Sequence, residues 1–113
     1  MLDESGSFLY TQGAYNRAAD HWQRAYDVRM RDLGADDDLT LGSGNNLSMA
    51  WQEAGEVEQA TQLLEHVVSV SERVRGIDDP ETLTSRNNLA RSYQLAGDLD
   101  RATALYERTL ADR

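Results

Sequence analysis

Apolar residues recur three or four positions apart along most of the chain. Near the C-terminus Leu83, Leu89-Ala90, Tyr93 and Ala96 make one such stripe. Leu99, Ala102, Leu105-Tyr106 and Thr109-Leu110 make a second. That period marks an amphipathic helix with one buried face. Boundary signals punctuate the stripes. Asp79-Pro80-Glu81-Thr82 offers a capping Asp followed by Pro at the first helical position, where its missing N–H costs nothing. Gly97 ends that helix, because only Gly adopts the left-handed cap conformation freely, and Asp98 can cap the next one. The pattern predicts two antiparallel helices joined by a tight turn.

The same hairpin is written more than once. Gly34–Ser71 aligns without a gap on Gly76–Arg113 at an offset of 42, with 16 identities in 38 positions, far too many for chance. Asn45-Asn46-Leu47 falls on Asn87-Asn88-Leu89, Ala54-Gly55 on Ala96-Gly97, and Ala60-Thr61 on Ala102-Thr103. One further step back places Gly13, Ala18, Val28, Arg31 and Gly34 under Gly55, Ala60, Val70, Arg73 and Gly76. The expectation is a single all-α domain over 1–113, a right-handed superhelical stack of antiparallel helical hairpins. Its units run over about 1–34, 35–76 and 77–113, the outer two truncated. Ala18, Ala60 and Ala102 mark the closest helix approach, and Trp22, Leu64 and Tyr106 fill the space between hairpins. Neither end reads as a polar cap, so the chain is expected to be a segment of a longer array, able to associate end to end with other copies.

Leu89-Ala90, Tyr93, Gly97, Ala102 and Tyr106, with Leu47, Trp51, Gly55, Ala60 and Leu64 one unit earlier, resemble the tetratricopeptide repeat family. The long period and the phrase Thr-Leu…Asn-Asn-Leu-Ala…Tyr…Gly…Ala…Leu are similar to its kinesin-light-chain-like branch. The resemblance implies the helical-hairpin solenoid and a protein or peptide partner. It implies little about chemistry, since the shared residues are mostly packing residues.

Charge narrows the partner. Twenty acidic residues against eleven basic ones, all Arg, give a net charge of −9, which disfavours nucleic acid and anionic membrane. The middle unit is the most acidic, at −6 over residues 35–76. The absence of Cys removes disulfides and thiolate chemistry, and no run is apolar enough for a membrane span. A cytoplasmic protein is expected.

Candidate chemistry fails residue by residue, so neither enzyme activity nor a metal or other cofactor is expected. His21 sits where later units have Leu63 and Leu105, as a packed or edge residue, and His66 on a solvated face. An EF-hand starting at Asp36-Asp37-Asp38 needs Gly in its sixth place and Glu in its twelfth, where the chain has Leu41 and Leu47. Gly42-Ser43-Gly44 has no strand before it and no Lys after it, so it is no phosphate loop. Two Gly inside a helix each cost about 1 kcal/mol relative to Ala. They read either as drift or as a gap through which a ligand reaches the backbone.

The Asn pairs are the clearest functional signal. In a helical-hairpin solenoid the first helices line a concave groove. Asn45-Asn46 and Asn87-Asn88 lie on first helices, beside the packing residues Leu47 and Leu89. A two-residue step turns about 200°, which points Asn45 and Asn87 away from the packed side. A carboxamide both donates and accepts, so it can pair with a peptide backbone. The family resemblance places that role on Asn46 and Asn88; the alternative is that the pairs bridge adjacent hairpins. Spacing of three and four adds Met49, Gln52 and Glu53 in the middle unit, and Thr84, Arg91, Gln94 and Leu95 in the last. Tyr10, Met49 and Leu95 are expected beside apolar pockets. The reading is an interaction module holding an extended peptide or partner segment; the alternative is a spacer or sensor module without a ligand, inside a larger signalling or ATP-hydrolysing protein.

Overall fold

A computed structural model describes residues 4–111, with side chains from residue 13 onward. Five helices follow in order: α1 (Glu4–Leu33), α2 (Asp38–Ala54), α3 (Val57–Arg75), α4 (Pro80–Leu95) and α5 (Leu99–Ala111). Each packs on its neighbours in sequence, and α2 also touches α4. α1, the α2–α3 hairpin and the α4–α5 hairpin thus stack in that order.

The boundary chemistry forms as the sequence predicts. Asp37 caps α2 by accepting from Leu39 N at 2.9 Å, and Asp79 caps α4 by accepting from Glu81 N at 2.9 Å. Pro80 opens α4 at its N-terminus. Asp98 accepts from Arg101 N at 3.2 Å at the start of α5. Gly34, Gly55, Gly76 and Gly97, spaced 21 residues apart, all take positive φ between 83° and 97°, a region that costs other residues about 1–2 kcal/mol.

Gly13 is the next member of that series, and it does not turn. α1 runs through it as one helix of 30 residues, so the hairpin expected in the first unit is replaced by a continuous rod. Ala14 stands where Asp98 stands in the last unit and offers no capping oxygen. Ala18 and Ala19 follow closely, and continuing the helix keeps every backbone N–H bonded at the modest cost of one interior Gly. Only the second half of α1 occupies the place of a unit's second helix.

The apolar core lies at the junctions. Ala19 of α1 meets Leu47 and Ala50 of α2, with Trp22, Tyr26 and Trp51 packed around them. Leu64 and Val68 of α3 meet Leu89 and Ala90 of α4 and Leu105 of α5, flanked by Tyr93 and Tyr106. Leu41, Val67 and Val70 close the α2–α3 hairpin itself. The small positions Ala60 and Ala102 are buried, as close helix approach requires. Leu99 and Leu110, counted above in the buried stripe of α5, are instead 61% and 67% exposed, because among the described residues no helix lies beyond that face.

Candidate functional site

The first helices of the two hairpins, α2 and α4, meet along a polar seam. Asn45 donates to Ser85 Oγ at 2.9 Å, and the Ser85 hydroxyl lies 3.2 Å from Asn45 Oδ1. About two turns further on, Gln52 donates to Asn88 O at 2.9 Å and to Ser92 Oγ at 2.6 Å. Both carboxamides are buried, Asn45 at 9% and Gln52 at 6% exposure. Burying them is tolerable because their partners are in place; an unmatched amide there would cost about 1–3 kcal/mol.

This seam corrects two expectations. Asn45 does not face away from the packed side, and Gln52 does not line an open groove; both bridge hairpins. Helical phase relates Asn45 to Leu47 alone, whereas α2 is covered by α1, α3 and α4 together. A residue pointing away from one neighbour points into another.

The residues that remain open on this face form a different set. Asn46, Met49 and Glu53 of α2 are exposed, at spacings of three and four that put them on one helical face. Thr84, Arg91 and Leu95 of α4 are exposed beside them, and Asn88 is half-buried between. Arg91 binds Glu53 at 2.7 Å and reaches Gln52 Oε1 at 3.3 Å, tying the two helices across the seam. Met49 and Leu95, 43% and 49% exposed, supply apolar surface at either side of that ion pair. Asn88 Nδ2 is buried and has no acceptor among the described residues. Asn87 is exposed at the far edge of α4 rather than toward the seam, and Gln94, also exposed, accepts from the Tyr106 hydroxyl at 3.1 Å. The expected pocket beside Tyr10 falls outside the described side chains.

The glycines of α2 divide. A Cβ on Gly42 would meet open space, but one on Gly44 would lie 2.9 Å from Val67 Cγ2 and 3.3 Å from Tyr26 Cε1. Gly44 is therefore a packing residue that lets Tyr26 and Val67 close over the helix. Neither drift nor a ligand gap accounts for it. Its counterpart 42 residues on is Arg86, fully buried and paired with Glu72 of α3.

The opposite face carries a feature that the sequence reading missed. A crevice of about 410 Å³ is lined by Tyr26, Leu47, Trp51, Gln59, Gln62, Leu63 and His66, with Gln23 at its edge. A second, of about 270 Å³, is lined by Val68, Leu89, Tyr93, Arg101, Ala104, Leu105 and Arg108. Adding 42 to each of the first seven residues gives the second seven, so the crevice recurs with the repeat. An aromatic residue from the first helix, Trp51 or Tyr93, forms part of each wall. In the sequence Trp51 and Tyr93 count only as packing residues; the aromatic recurring at the offset of 42 is the signal that marks them. Burial pushes the Tyr93 phenol above its ordinary pKa, and the Glu65 carboxylate that accepts its hydrogen bond at 3.1 Å pushes it further. Tyr26 is raised likewise, by burial first and by Asp27 second. His66 is exposed at the first crevice, and His21 is exposed with an edge-on contact to Trp22 at 5.1 Å. Among the described residues no group of His, Asp and Glu is placed to hold a metal ion, and no helix is long and apolar enough to cross a membrane.

Stacked helical hairpins with a crevice that recurs at the repeat offset define a helical-repeat solenoid. The chain belongs to the tetratricopeptide repeat family, whose model matches residues 42–113. Repeats of this family mediate protein–protein interactions and are typically non-enzymatic scaffolds. Among solved structures the fold matches a Podosopora anserina protein described as a kinesin light chain with nearly identical TPR-like repeats. The TM-score is 0.84 and the identity 29%, over 88% of this chain and 47% of that one. BtubC (BKLC) from P. vanneervenii matches with a TM-score of 0.81 and 26% identity, over 89% of this chain and 40% of that one. A variant of the P. anserina protein, 21% identical, shares the fold at a TM-score of 0.78, with 99% and 57% covered. The chain thus spans 40–57% of the length of these structures. No curated protein matches it.

Proposed function

We propose that the open face of α2 and α4 holds an extended segment of a protein partner, gripped by its backbone. The observation that carries this reading is the pair Asn46 and Asn88. Asn46 is exposed on the face, and the Asn88 amide has a buried N–H2 without an acceptor. A turn of the half-buried Asn88 side chain would bring that donor to a peptide carbonyl over the seam, and Asn46 would take a second backbone group one unit away. Met49 and Leu95 would receive apolar side chains, while the Glu53–Arg91 pair offers both signs of charge between them. A cytoplasmic setting suits a chain without Cys. The test is selection of binders from a random peptide library, followed by measurement of Kd for Asn46→Ala with Asn88→Ala. At least a tenfold weakening with the melting temperature nearly unchanged supports the reading; unchanged affinity ends it.

A second reading rests on the recurring crevices. A partner running along the second helices would insert one side chain into each, against Trp51 and then Tyr93. Gln59→Glu with Gln62→Glu, both exposed on α3, would then weaken binding where the paired Asn substitutions leave it intact. A binder lost to the Gln pair alone favours this face.

A further inference from the structure

α3 and α5 flank a groove whose floor is α4. The crevice at Val68, Leu89 and Leu105 is one part of it. A neighbouring crevice of about 430 Å³, bounded by Val57, Thr61 and Ala96, is the next part, and the two share Tyr93 and Arg101. Tyr93 is tied to both walls. Its hydroxyl donates to Glu65 of α3 at 3.1 Å, and its ring lies under Arg101 of α5, whose guanidinium carbon is 5.9 Å from the ring centre. At one end Arg108 reaches Glu72 at 3.0 Å and joins the walls.

The walls are opposite in charge and share one period. Glu58, Glu65 and Glu72 stand seven residues apart on α3, and Arg101 and Arg108 seven apart on α5. Seven residues make almost two turns, so each set lies on one helical face with a rise of about 10.5 Å between members. Glu58 and Glu65 are exposed. The Arg101 and Arg108 side chains are 67% and 58% exposed, so their pairs with Asp98 and Glu72 leave further N–H groups open to solvent. The Trp51 crevice has the same architecture without these charges: Gln23 stands in place of Glu65, Gln59 of Arg101 and His66 of Arg108. Packing of the repeat therefore does not require an acidic and a basic wall.

We propose that the groove between α3 and α5 docks an amphipathic helix of a protein partner, whose apolar stripe is flanked by basic residues on one side and acidic residues on the other. A helix laid along α3 and α5 advances by the same rise, so flanking charges seven apart meet Glu58 and Glu65 on one wall and Arg101 and Arg108 on the other. Apolar side chains seven apart enter the two crevices beside Tyr93. An extended strand points its side chains to two faces only and cannot address the floor and both walls together. The apolar stripe supplies most of the attraction, and the rim charges select the partner. This deepens the second reading above and rests on it for the Tyr93 crevice alone; it needs nothing of the Trp51 crevice or of the Asn46 and Asn88 face.

The probe is a fluorescein-labelled synthetic helix of three heptads with Leu and Ala along one stripe, Lys along one flank and Glu along the other. Anisotropy titrations with the full chain should give a Kd about tenfold lower than for the same stripe with Lys on both flanks or Glu on both. Arg101→Glu makes both walls acidic. It should weaken the mixed-flank peptide about fivefold and strengthen the double-Lys peptide. Gln59→Glu, at the same place in the Trp51 crevice, should change neither. Both Trp residues, Trp22 and Trp51, lie at the α1–α2 junction, so Trp emission should stay constant on binding. Undetectable binding of the mixed-flank peptide, equal affinity for all three, or indifference to Arg101→Glu would overturn the proposal. Equal affinity for a peptide broken by a central Pro would overturn the helical occupant. Weakening by Gln59→Glu with a shift in Trp emission would place the peptide in the Trp51 crevice, sinking this assignment while leaving the second reading intact.

Discussion

Arg86 and Glu72 form an ion pair with the guanidinium inside the protein. Arg86 is 1% exposed, and its Nε donates to Glu72 Oε2 at 2.9 Å; Arg108 of α5 reaches the same carboxylate at 3.0 Å. One Glu of α3 thereby holds residues from both helices of the next unit. Removing one member of a buried pair costs more than the pair contributes, because the other charge is left in low dielectric. Glu72→Ala should destabilise by about 3 kcal/mol, whereas Arg86→Met with Glu72→Met should cost much less. Urea denaturation of both variants checks the difference. A cheap single substitution and a costly double one would show that packing, not charge, fixes this site.

Two glycines a half-turn apart should respond oppositely to the same change. Gly42→Ala adds a methyl to open space and removes backbone freedom from the unfolded chain, for a gain of about 0.5–1 kcal/mol. Gly44→Ala drives a Cβ against Val67 and Tyr26, and overpacking of that kind costs about 1–3 kcal/mol. Thermal melts of the two variants should shift in opposite directions.

Gly13 offers a direct test of the continuous first helix. With Gly13 inside α1, Gly13→Ala should raise helicity and stability by up to about 1 kcal/mol. Gly55→Ala and Gly97→Ala, both at positive φ, should each lose about 1–2 kcal/mol. Circular dichroism melts decide it: a loss at Gly13 as large as at Gly55 would mean a turn there.

Asn45 and Asn46 are neighbours with separate tasks. Asn45→Ala removes a buried partner of Ser85 and should cost roughly 1–2 kcal/mol. Asn46→Ala, on an exposed position, should stay within about 0.5 kcal/mol. Chemical denaturation of the two single variants measures both.

Alkaline pH should loosen the structure in a defined window. Burial and Glu65 hold the folded Tyr93 phenol above its unfolded pKa, and burial does the same for Tyr26. A group raised on folding contributes stability below its unfolded value, near pH 10, and loses it as pH climbs through the folded value. Stability should therefore fall above about pH 10. In an ultraviolet titration two phenols should ionise late, one of them absent in Tyr93→Phe.

The helices, their caps and the repeat were legible because each depends on short-range rules. The Asp79 and Asp98 caps, the Pro80 start and the glycine turns need only a few consecutive residues to be recognised. The first-unit hairpin was misread because Gly13 satisfies the glycine rule, while the missing capping oxygen at Ala14 was not weighed beside it. The candidate site was legible in part. Asn46, Met49, Glu53, Arg91 and Leu95 are on the open face, and Asn88 lies at its seam. Asn45 and Gln52 are not, because helical phase around a single axis cannot say how many neighbours cover a helix.

By itself the amino-acid order determined the hairpin, its period and the residues that recur, since chain-local hydrogen bonding and apolar phase are properties of contiguous residues. Only the tertiary arrangement decided which recurring side chains are consumed in joining units and which stay open. It also decided that Gly44 is filled by Tyr26 while its counterpart is a buried Arg. Those outcomes depend on which groups some 40 residues apart come within hydrogen-bonding or van der Waals reach, a distance relation that no local rule contains.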